Sequence, residues 1–388
     1  MQDTPNPSAA TSPFRAPTTS AQLDAQAAAY HEFECLHEFI AKARKNLKQG
    51  EWDYVSGGSE SETTLRRNRM ALDSIALRPR VLRDVSKIDA SVERLGRSIR
   101  LPVLLAPIGS LECMHPEGAV AVVRAAGKFG VPHMLSSSGD PGLVPVAKAA
   151  PDALRIYQLY VRGDDAFVED RVRQAIDHGY AAFAFTVDTA IYSRRERDIA
   201  KRFVVLGRRR ASGHSFQAGL SWRTIAHVKE KFDIPLVVKG IATAEDARTA
   251  VEHGVDWVYV SNHGGRQLDH GRGSMDVLPE VVDAVKGRAK IIVDGSMCRG
   301  TDVLKGIASG ANLVGLGRMQ CYALAAGGTD GVVRMLEILE DEIHRALANC
   351  GITGFAGLEK AHLHPATPVT PPHVFSAFPL LKIEEYKY

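Results

Sequence analysis

A histidine and an arginine in the run Ser261–Asp269 have the residue types and spacing for proton transfer beside a carboxylate. The run follows the apolar stretch Trp257–Val260, which predicts a buried parallel strand that opens into a loop. His263 can take up a proton near neutral pH, and Arg266 can hold a carboxylate through two parallel hydrogen bonds. The two glycines between them let the backbone pass close to a bulky flat ligand without a Cβ clash. We therefore predict a site for proton abstraction next to a carboxylate.

Seven further segments place polar, aromatic or glycine residues where an apolar stretch ends. Barrel enzymes keep their chemistry at this end of their strands. A lysine that ends a buried strand, such as Lys239, costs roughly several kcal/mol unless it is paired or faces a ligand. A solvated surface loop is the alternative for an isolated His-Gly-Gly-Arg, but the shared position of these segments favours a site. The segments are Ala106–Gly109, Ser136–Ser138, Gln158–Tyr160, Thr186–Asp188, Lys239–Gly240, Asp294–Ser296 and Gly317–Arg318.

The elements that would position these residues alternate between strands and helices from Leu101 onward. Helical patterns lie between the strands, such as Ala244–His253 with Thr243 as its N-cap, and Asp330–Asn349 as the last. Such repeats with short right-handed connections close most economically into an α/β fold, the (β/α)8 TIM barrel. An open doubly wound sheet is the alternative, but it would usually carry a GxGxxG turn after its first strand, where none occurs. The predicted strands are Pro102–Leu105, Val131–Leu135, Arg155–Leu159, Ala181–Thr186, Pro235–Val238, Val255–Val260, Lys290–Val293 and Asn312–Leu316.

The composition is ordinary for a soluble globular protein, with 388 residues, 45% of them hydrophobic and 24% charged. A net charge of +3, with basic residues scattered apart from Arg208–Arg210, argues against nucleic acid as a partner. No apolar run approaches the roughly 20 residues that cross a bilayer, and the N-terminus lacks a secretory signal pattern. The five cysteines form no CxxC, which predicts reduced thiols, a cytoplasmic location and no metal site.

The two ends of the chain differ from the segment between them. Residues 1–28 are rich in Ala, Thr, Ser, Pro and Gln, which predicts a disordered leader. Apolar spacing over Tyr30–Gln49 predicts a helix, which Gly50 would end. Residues 365–388 contain five prolines, which predicts an extended tail that could wrap a neighbouring subunit. The barrel domain, with its N-terminal helical extension, is therefore assigned to residues 29–364.

The run Ser261–Asp269 closely resembles the active-site signature of the FMN-dependent α-hydroxy-acid oxidases and dehydrogenases. The resemblance extends from about Tyr54 to Arg318 and beyond. It implies a TIM barrel that binds FMN and oxidises an L-2-hydroxy acid, the (S) form, to the 2-oxo acid. It also implies a homotetramer or a homo-octamer.

The resemblance gives six residues a role on the substrate side of the site. It implies Tyr54 and Arg266 as the carboxylate clamp, Arg195 as a second substrate-side arginine, Tyr160 near the substrate hydroxyl and the flavin, His263 as the base, and Asp188 as its hydrogen-bonded partner. A buried carboxylate beside the imidazole would raise its basicity and favour the imidazolium that forms in the reaction.

The resemblance also implies the residues around FMN. Oxidation of a hydroxy acid leaves negative charge at the N1/O2 edge of the flavin, and a fixed cation there stabilises that charge most where water is excluded. The implied set is the backbone at Pro107, Ile108 and Gly109; Ser136, Gln158 and Thr186 around the ring; Lys239 at the N1/O2 edge, with Ser261 close by; Asp294 at the ribityl chain; and Gly295, Ser296, Gly317 and Arg318 at the phosphate.

The chain departs from the family pattern in three places. Many family oxidases have an aromatic residue two positions after the serine matched by Ser136, whereas this chain has Ser138, so bulkier substrates should fit. The segment 195–222 is short, and nothing in it is apolar enough to lie in a bilayer. Cys298 replaces an arginine that commonly serves the FMN phosphate. Arg318 and backbone N–H groups could still hold FMN, with Cys298 as a small inert filler and a redox thiol as the alternative.

Several functional alternatives stay open at this point. The electrons could pass to O2, a quinone or a protein acceptor, and the proton could leave the α-carbon or the hydroxyl. Ser138 also suits a tailoring oxidase for a larger metabolite that contains a hydroxy acid. A catalytically lapsed FMN-binding protein has Cys298 as its only support. A type 2 isoprenyl-diphosphate isomerase, another FMN barrel, would have no reason to keep the pair His263 and Arg266.

Overall fold

The computed structural model describes residues 18–19, 32–205 and 212–382, and among these eight parallel strands close into a barrel. The last strand pairs with the first, for example Val314 with Val103, so the barrel leaves no open edge. This confirms the predicted fold class, with strand boundaries shifted by a few residues at most. The strands are β1 (Val103–Leu105), β2 (His133–Ser136), β3 (Arg155–Leu159), β4 (Ala182–Thr186), β5 (Leu236–Ile241), β6 (Trp257–Val260), β7 (Lys290–Val293) and β8 (Leu313–Leu316).

Helices surround this barrel and follow most of its strands. Thr243 caps one of them as predicted, because its hydroxyl accepts a hydrogen bond from the backbone N–H of Asp246 at 3.2 Å. The described helices are α1 (Leu36–Asn46), α2 (Gln49–Ser56), α3 (Thr63–Asp73), α4 (Gly118–Phe129), α5 (Leu143–Ala149), α6 (Asp165–Asp177), α7 (Glu196–Ala200), α8 (His214–Ala218), α9 (Trp222–Lys231), α10 (Ala244–Glu252), α11 (Ser274–Val285), α12 (Gly300–Ala308) and α13 (Arg318–Asn349).

One of two helix predictions was wrong in its limits. The helix expected over Tyr30–Gln49 ends at Asn46, and Gly50 lies inside α2 and does not stop a helix. The expected last helix, Asp330–Asn349, is confirmed: α13 consists of two helices that meet at a kink, where Gly327 and Gly328 leave helical geometry, and the second helix runs to Asn349. Gly50 was a misleading signal, because it lies within a helix and does not end one.

Two apolar layers hold the barrel together. The larger layer lies between the strands and the helices, and the smaller one fills the barrel interior around Leu104, Met134, Trp257 and Tyr259. A hairpin of Val92–Arg94 and Arg97–Ile99 packs against the inner layer. This hairpin precedes β1 and packs on the interior, while the opposite, carboxyl end of the strands carries the loops that bear the predicted site.

The C-terminal segment packs on its own barrel as far as residue 382, and its expected contact with a neighbouring subunit stays a prediction. Phe375 and Phe378 are each only 1% exposed. Phe375 stacks on Trp52 with ring centroids 5.6 Å apart, and Phe378 meets His37 edge-on at 5.4 Å. The burial of these two aromatic side chains favours a packed segment despite the prolines around them, because each ring removes a large apolar area from water.

The N-terminal segment is described only at Thr18–Thr19, which pair antiparallel with Lys87–Ile88. The rest of the predicted leader, residues 1–28, lies outside the described residues, so its disorder stays a prediction. A second short pairing joins Ile75–Leu77 to Leu363–Pro365. Among the helices of the described ranges, none has the length and apolarity that crossing a membrane requires.

Candidate active site

A cavity opens at the carboxyl ends of the barrel strands and brings the predicted site residues together. It encloses about 1500 Å³, part of it open to solvent. Ser136, Gln158, Thr186, Asp188 and Ser261 stand at the same strand ends, four of them almost fully buried, but they are not among the residues that form the cavity lining. The predicted residues in the lining are Tyr54, Pro107, Ile108, Gly109, Tyr160, Arg195, Lys239, His263, Arg266, Asp294, Gly295, Ser296, Gly317 and Arg318.

His263 sits in the loop after β6 with an unusual backbone. Its φ is +59°, and the next two residues, Gly264 and Gly265, have φ of +65° and +74°. A non-glycine residue in this left-handed region costs about 1–2 kcal/mol, so the surroundings must enforce it. A Cβ on Gly265 would lie 2.5 Å from the backbone nitrogen of Leu65. The paired glycines therefore let this loop turn tightly against α3, with the imidazole on the cavity side.

Asp188 orients the His263 ring. The Nδ1 atom of His263 lies 2.8 Å from Oδ1 of Asp188, and Nε2 lies 3.3 Å from the hydroxyl of Tyr160. Because an ionised carboxylate only accepts hydrogen bonds, Nδ1 carries the proton and Nε2 is left as the basic atom. Thr189 adds a second contact, donating its hydroxyl to Asp188 at 3.1 Å. The ring is therefore held in the tautomer that a general base needs.

The pKa values of this pair differ from the expectation in one respect. Burial would raise the pKa of Asp188, but His263 and Lys239 outweigh burial and hold it at about 2. Burial also lowers the pKa of His263 by more than Asp188 raises it. The expected gain in basicity from Asp188 is present, but the net pKa shift of the imidazole is downward. His263 is consequently neutral at pH 7 and able to accept a proton.

A glycine at the end of β5 allows Asp188 to approach. Gly240 has φ of +116°, and the pairing of β5 with β6 shifts register between Lys239 and Ile241. A Cβ on Gly240 would lie 2.7 Å from Cβ of Asp188 and 2.8 Å from its backbone nitrogen. Only glycine fits there, so this irregularity in the strand is what admits the aspartate beside the histidine.

Arg266, Tyr54 and Arg195 form a cationic and aromatic group on one side of the cavity. The Arg266 guanidinium lies 4.8 Å from the centroid of the Tyr54 ring and donates to the carbonyls of Tyr54 and Gly57. Arg195 is 6% exposed and lies over Tyr192 at 4.4 Å. Burial raises the pKa of Tyr54 to about 12, so its hydroxyl stays protonated and can donate. Two arginines and a phenol suit a carboxylate.

Lys239 is the buried cation on the other side of His263. Its Nζ donates to Oγ of Ser261 at 2.9 Å, and it lies 3.9 Å from a carboxylate oxygen of Asp294. The same Ser261 hydroxyl accepts the backbone N–H of His263 at 3.1 Å. The lysine therefore faces the cavity with only a loose ion pair, as a group that stabilises charge on a ligand would.

Buried polar atoms without partners indicate that the site is built for a polar flat ligand. Among the described residues, the side-chain amide of Gln158, the hydroxyls of Thr186 and Ser296, and Oδ1 of Asp294 make no hydrogen bond. Such atoms cost free energy unless a ligand or water satisfies them. An isoalloxazine edge offers donors and acceptors for Gln158 and Thr186, while a ribityl chain offers hydroxyls for Asp294. The residues present fit FMN.

The phosphate end departs from the expectation. Arg318 lines the cavity, but its guanidinium donates to the carbonyls of Val55, Gly57 and Gly264 at 3.0, 2.8 and 3.0 Å. Arg318 therefore links α2 to the loop that carries His263. Only its remaining N–H groups could contact the phosphate, the contact that the family resemblance implies. Burial raises the pKa of the Cys298 thiol, so the thiol stays neutral, in accord with a filler.

Sequence reasoning missed several residues of the cavity. Thr189 follows Asp188 directly, and its hydroxyl could have been noticed as a hydrogen-bonding neighbour. Val374 and Phe378 of the C-terminal segment also line the cavity, and no sequence signal indicated that they return to the barrel mouth. Arg162 and His214 line it as well, with Arg162 two residues after Tyr160.

Comparison with known proteins agrees with this geometry. Residues 43–365 match the family model described as FMN-dependent dehydrogenase. Glycolate oxidase 1 of Oryza sativa subsp. indica is 40% identical over 349 residues, which cover 84% of this chain and 94% of that protein. Peroxisomal (S)-2-hydroxy-acid oxidase GLO4 of Oryza sativa subsp. japonica is 40% identical over 348 residues, covering 84% and 95%.

A solved structure gives the same result for the fold. The crystal structure of mandelate oxidase with (S)-2-phenylpropionate superposes with a TM-score of 0.81 at 36% identity, covering 87% of this chain and 100% of that one. The match spans the barrel and the segments that carry the cavity residues. The chain therefore belongs to the FMN-dependent dehydrogenase family.

Proposed function

We propose that this protein is an FMN-dependent enzyme that oxidises an (S)-2-hydroxy acid to the 2-oxo acid, with His263 as the base. The observation that carries this proposal is the 2.8 Å contact of His263 Nδ1 with Asp188, which leaves Nε2 facing a cavity lined by arginines. The relatives named as glycolate oxidase and (S)-2-hydroxy-acid oxidase support the reaction class.

The substrate carboxylate is held by Arg266 and Tyr54, with Arg195 beside them. The N–H groups of Arg266 that do not bond to backbone carbonyls can pair with carboxylate oxygens. Tyr54 adds its protonated hydroxyl, which donates to the carbonyl of Gly109 at 3.3 Å and would turn from it to the substrate. Holding the carboxylate here fixes the α-carbon in the same cavity that His263 and Tyr160 line, and this positioning supplies much of the rate enhancement.

His263 takes one proton from the substrate at Nε2. The proton comes from the α-carbon in a carbanion route or from the hydroxyl in a hydride route, and the residues present suit both. Asp188 then stabilises the imidazolium, since its carboxylate lies 2.8 Å from Nδ1. Tyr160 lies 3.3 Å from Nε2 and can hydrogen-bond the substrate oxygen. FMN, when bound, accepts the two electrons that the substrate loses.

Lys239, Gln158, Thr186, Ser136 and Ser261 would hold the flavin ring. Lys239 would lower the cost of negative charge at the ring, because it is 4% exposed and therefore poorly screened by water. The ribityl chain and the phosphate would lie near the backbone at Pro107, Ile108 and Gly109 and at Asp294, Gly295, Ser296, Gly317 and Arg318.

The electron acceptor, assembly and location stay predictions. The names of the two rice relatives favour O2 as acceptor, since both are called oxidases, with a quinone or a protein acceptor as alternatives. A cytoplasmic location without nucleic-acid or membrane partners is predicted from the composition, and a homotetramer or homo-octamer is predicted from the family resemblance. A tailoring oxidase for a larger metabolite is the second candidate, because Ser138 lines the cavity with a side chain much smaller than an aromatic one.

The experiment that tests the reaction is anaerobic bleaching of the holoprotein. Small, aliphatic and aromatic (S)-2-hydroxy acids are mixed with the yellow protein, and the flavin absorbance is followed. We expect bleaching by (S) acids and none by the (R) forms. A yellow protein that no 2-hydroxy acid bleaches would support the lapsed FMN-binding protein instead. Reoxidation in air or with a quinone then identifies the acceptor.

A further inference from the structure

We propose that Arg162 forms a second anion subsite in the cavity, so that the preferred substrate is a 2-hydroxy acid with another carboxylate at its distal end. This proposal rests on the proposed function and names the substrate class for the same site.

Arg162 lines the same cavity as the catalytic histidine. It follows Tyr160 by two residues in the segment after β3, and both residues line the same cavity. Residues two apart in a chain lie at most about 7 Å from each other, Cα to Cα. The Tyr160 hydroxyl lies 3.3 Å from Nε2 of His263. A substrate that reacts at His263 can therefore reach Arg162 with a chain a few atoms long.

The cavity holds one more cation than the reaction requires. Its described lining includes four arginines, one lysine and one aspartate. Arg266 and Arg195 suit the substrate carboxylate, Lys239 suits the flavin, and Arg318 ties α2 to the catalytic loop. Arg162 has no task in the reaction, yet it remains a positive charge at the edge of the substrate space.

The topology separates Arg162 from the expected phosphate position. In the closed order of the barrel, β3 and β7 lie four strands apart in a ring of eight, so they face each other across the mouth. Asp294, Gly295 and Ser296 follow β7, whereas Arg162 follows β3. Cys298, which replaces the arginine of the family pattern, also follows β7. Arg162 therefore does not substitute for that arginine at a phosphate.

Arg162 has no acidic partner among the described residues. Within the described ranges its side chain hydrogen-bonds through Nη1 to Nδ1 of His214 at 2.6 Å, which uses one donor and adds no negative charge. Arg197, in contrast, forms a two-point ion pair with Glu62 at 2.6 and 2.7 Å. Burial lowers the pKa of Arg162, which shows that it is partly removed from water. A half-buried guanidinium with free donors suits an incoming carboxylate.

The space next to Arg162 suits a substrate that is longer than glycolate. Ser138 lies in the loop after β2, the strand that pairs with β3, and it lines the cavity with a side chain of only two heavy atoms. A distal group can pass this position without meeting an aromatic ring. We therefore place at the guanidinium a second carboxylate that two methylene groups separate from the α-carbon.

The test compares two substrates of the same shape. (S)-2-Hydroxyglutarate carries the distal carboxylate, and 2-hydroxy-5-methylhexanoate replaces it with an isopropyl group. We expect the holoprotein to favour the diacid in kcat/KM by about 10- to 100-fold, the range of one charge-assisted hydrogen-bonded pair. Arg162→Gln should remove that preference and leave the neutral acid within about twofold of its original value, while Arg162→Lys should keep part of it.

The matched control is Arg194→Gln, which removes an exposed arginine outside the cavity lining and should leave the ratio unchanged. Binding of the products, 2-oxoglutarate and 5-methyl-2-oxohexanoate, is followed through the flavin spectrum and needs no turnover. If 2-oxoglutarate binds more tightly and this preference depends on Arg162, the subsite is supported, even if no acid is oxidised. A failure to oxidise any acid would count only against the proposed function. Equal binding of both products, or equal loss for both in Arg162→Gln, overturns the subsite.

Discussion

The Oδ1 atom of Asp188 lies 2.8 Å from Nδ1 of His263, although the two residues are 75 positions apart in the chain. The aspartate follows β4 and the histidine follows β6, with β5 between them. The contact exists because Gly240 at the end of β5 has no side chain in the way. Three adjacent strands thus contribute one residue each to a single catalytic arrangement.

Asp188→Asn should lower kcat/KM by about 10²- to 10⁴-fold, the usual value of a positioned acid–base group. The amide can present a donor to Nδ1, which allows the wrong tautomer, and it no longer stabilises the imidazolium. Stopped-flow bleaching with a 2-hydroxy acid measures the effect. FMN content should stay close to that of the original protein, because Asp188 contacts the imidazole and does not line the cavity. An active Asp188→Asn protein would remove this residue from the mechanism.

His263→Gln should abolish bleaching and leave the yellow colour, since the base acts on the substrate and does not retain FMN. Glutamine keeps a polar side chain but cannot accept the proton. The flavin spectrum and the rate of its loss on mixing with the substrate are read from the same sample. Bleaching at the original rate would show that another group takes the proton.

On the acid side, kcat/KM should fall off below pH 6.5 (its acid limb), because about 6.5 is the ordinary pKa of histidine. Burial lowers the pKa of His263, so the neutral, active form persists further into acid than for an exposed histidine. The rate is full above this pKa and falls as the pH drops through it. In Asp188→Asn the limb should move to still lower pH, because the carboxylate that raises the histidine pKa is gone. A limb above pH 7 would contradict this assignment.

Arg266→Met should cost roughly 2–4 kcal/mol in kcat/KM, because it removes a two-point charge-assisted contact with the substrate carboxylate. Arg266→Lys should recover part of the loss, since one charge but not the fork remains. Steady-state rates with a 2-hydroxy acid and its amide separate the roles, as the amide lacks the charge and should be insensitive. An unchanged kcat/KM would place the carboxylate elsewhere.

Gly240→Ala should destabilise the protein by about 2–5 kcal/mol, since the new methyl group meets Asp188 and the backbone has φ of +116°. Gly287→Ala is the matched control. That glycine also has positive φ, at +73°, but a Cβ there meets nothing within 4 Å, so only about 1–2 kcal/mol is expected. Urea unfolding of the holoproteins measures both. Similar losses for the two variants would mean that the contact with Asp188 is not tight.

Much of the fold was predictable because the strands are short apolar runs with polar or glycine residues at one end. Parallel strands buried on both faces leave this pattern in the sequence itself, so all eight barrel strands were found. The end of α1 was not predictable from Gly50, which lies inside α2, because a local signal does not record the packing that overrides it. The buried C-terminal aromatics were missed for the same reason.

The sequence by itself determined which side chains stand at the barrel mouth, since strand periodicity and the order of the strands place residues such as His263 and Lys239 at one end. Only the tertiary structure decided how these side chains act. It set the net downward pKa shift of His263, turned Arg318 toward backbone carbonyls, and left Arg162 without an acidic partner among the described residues. Burial, distance and the competition between partners depend on residues far apart in the chain, so no local pattern could record them.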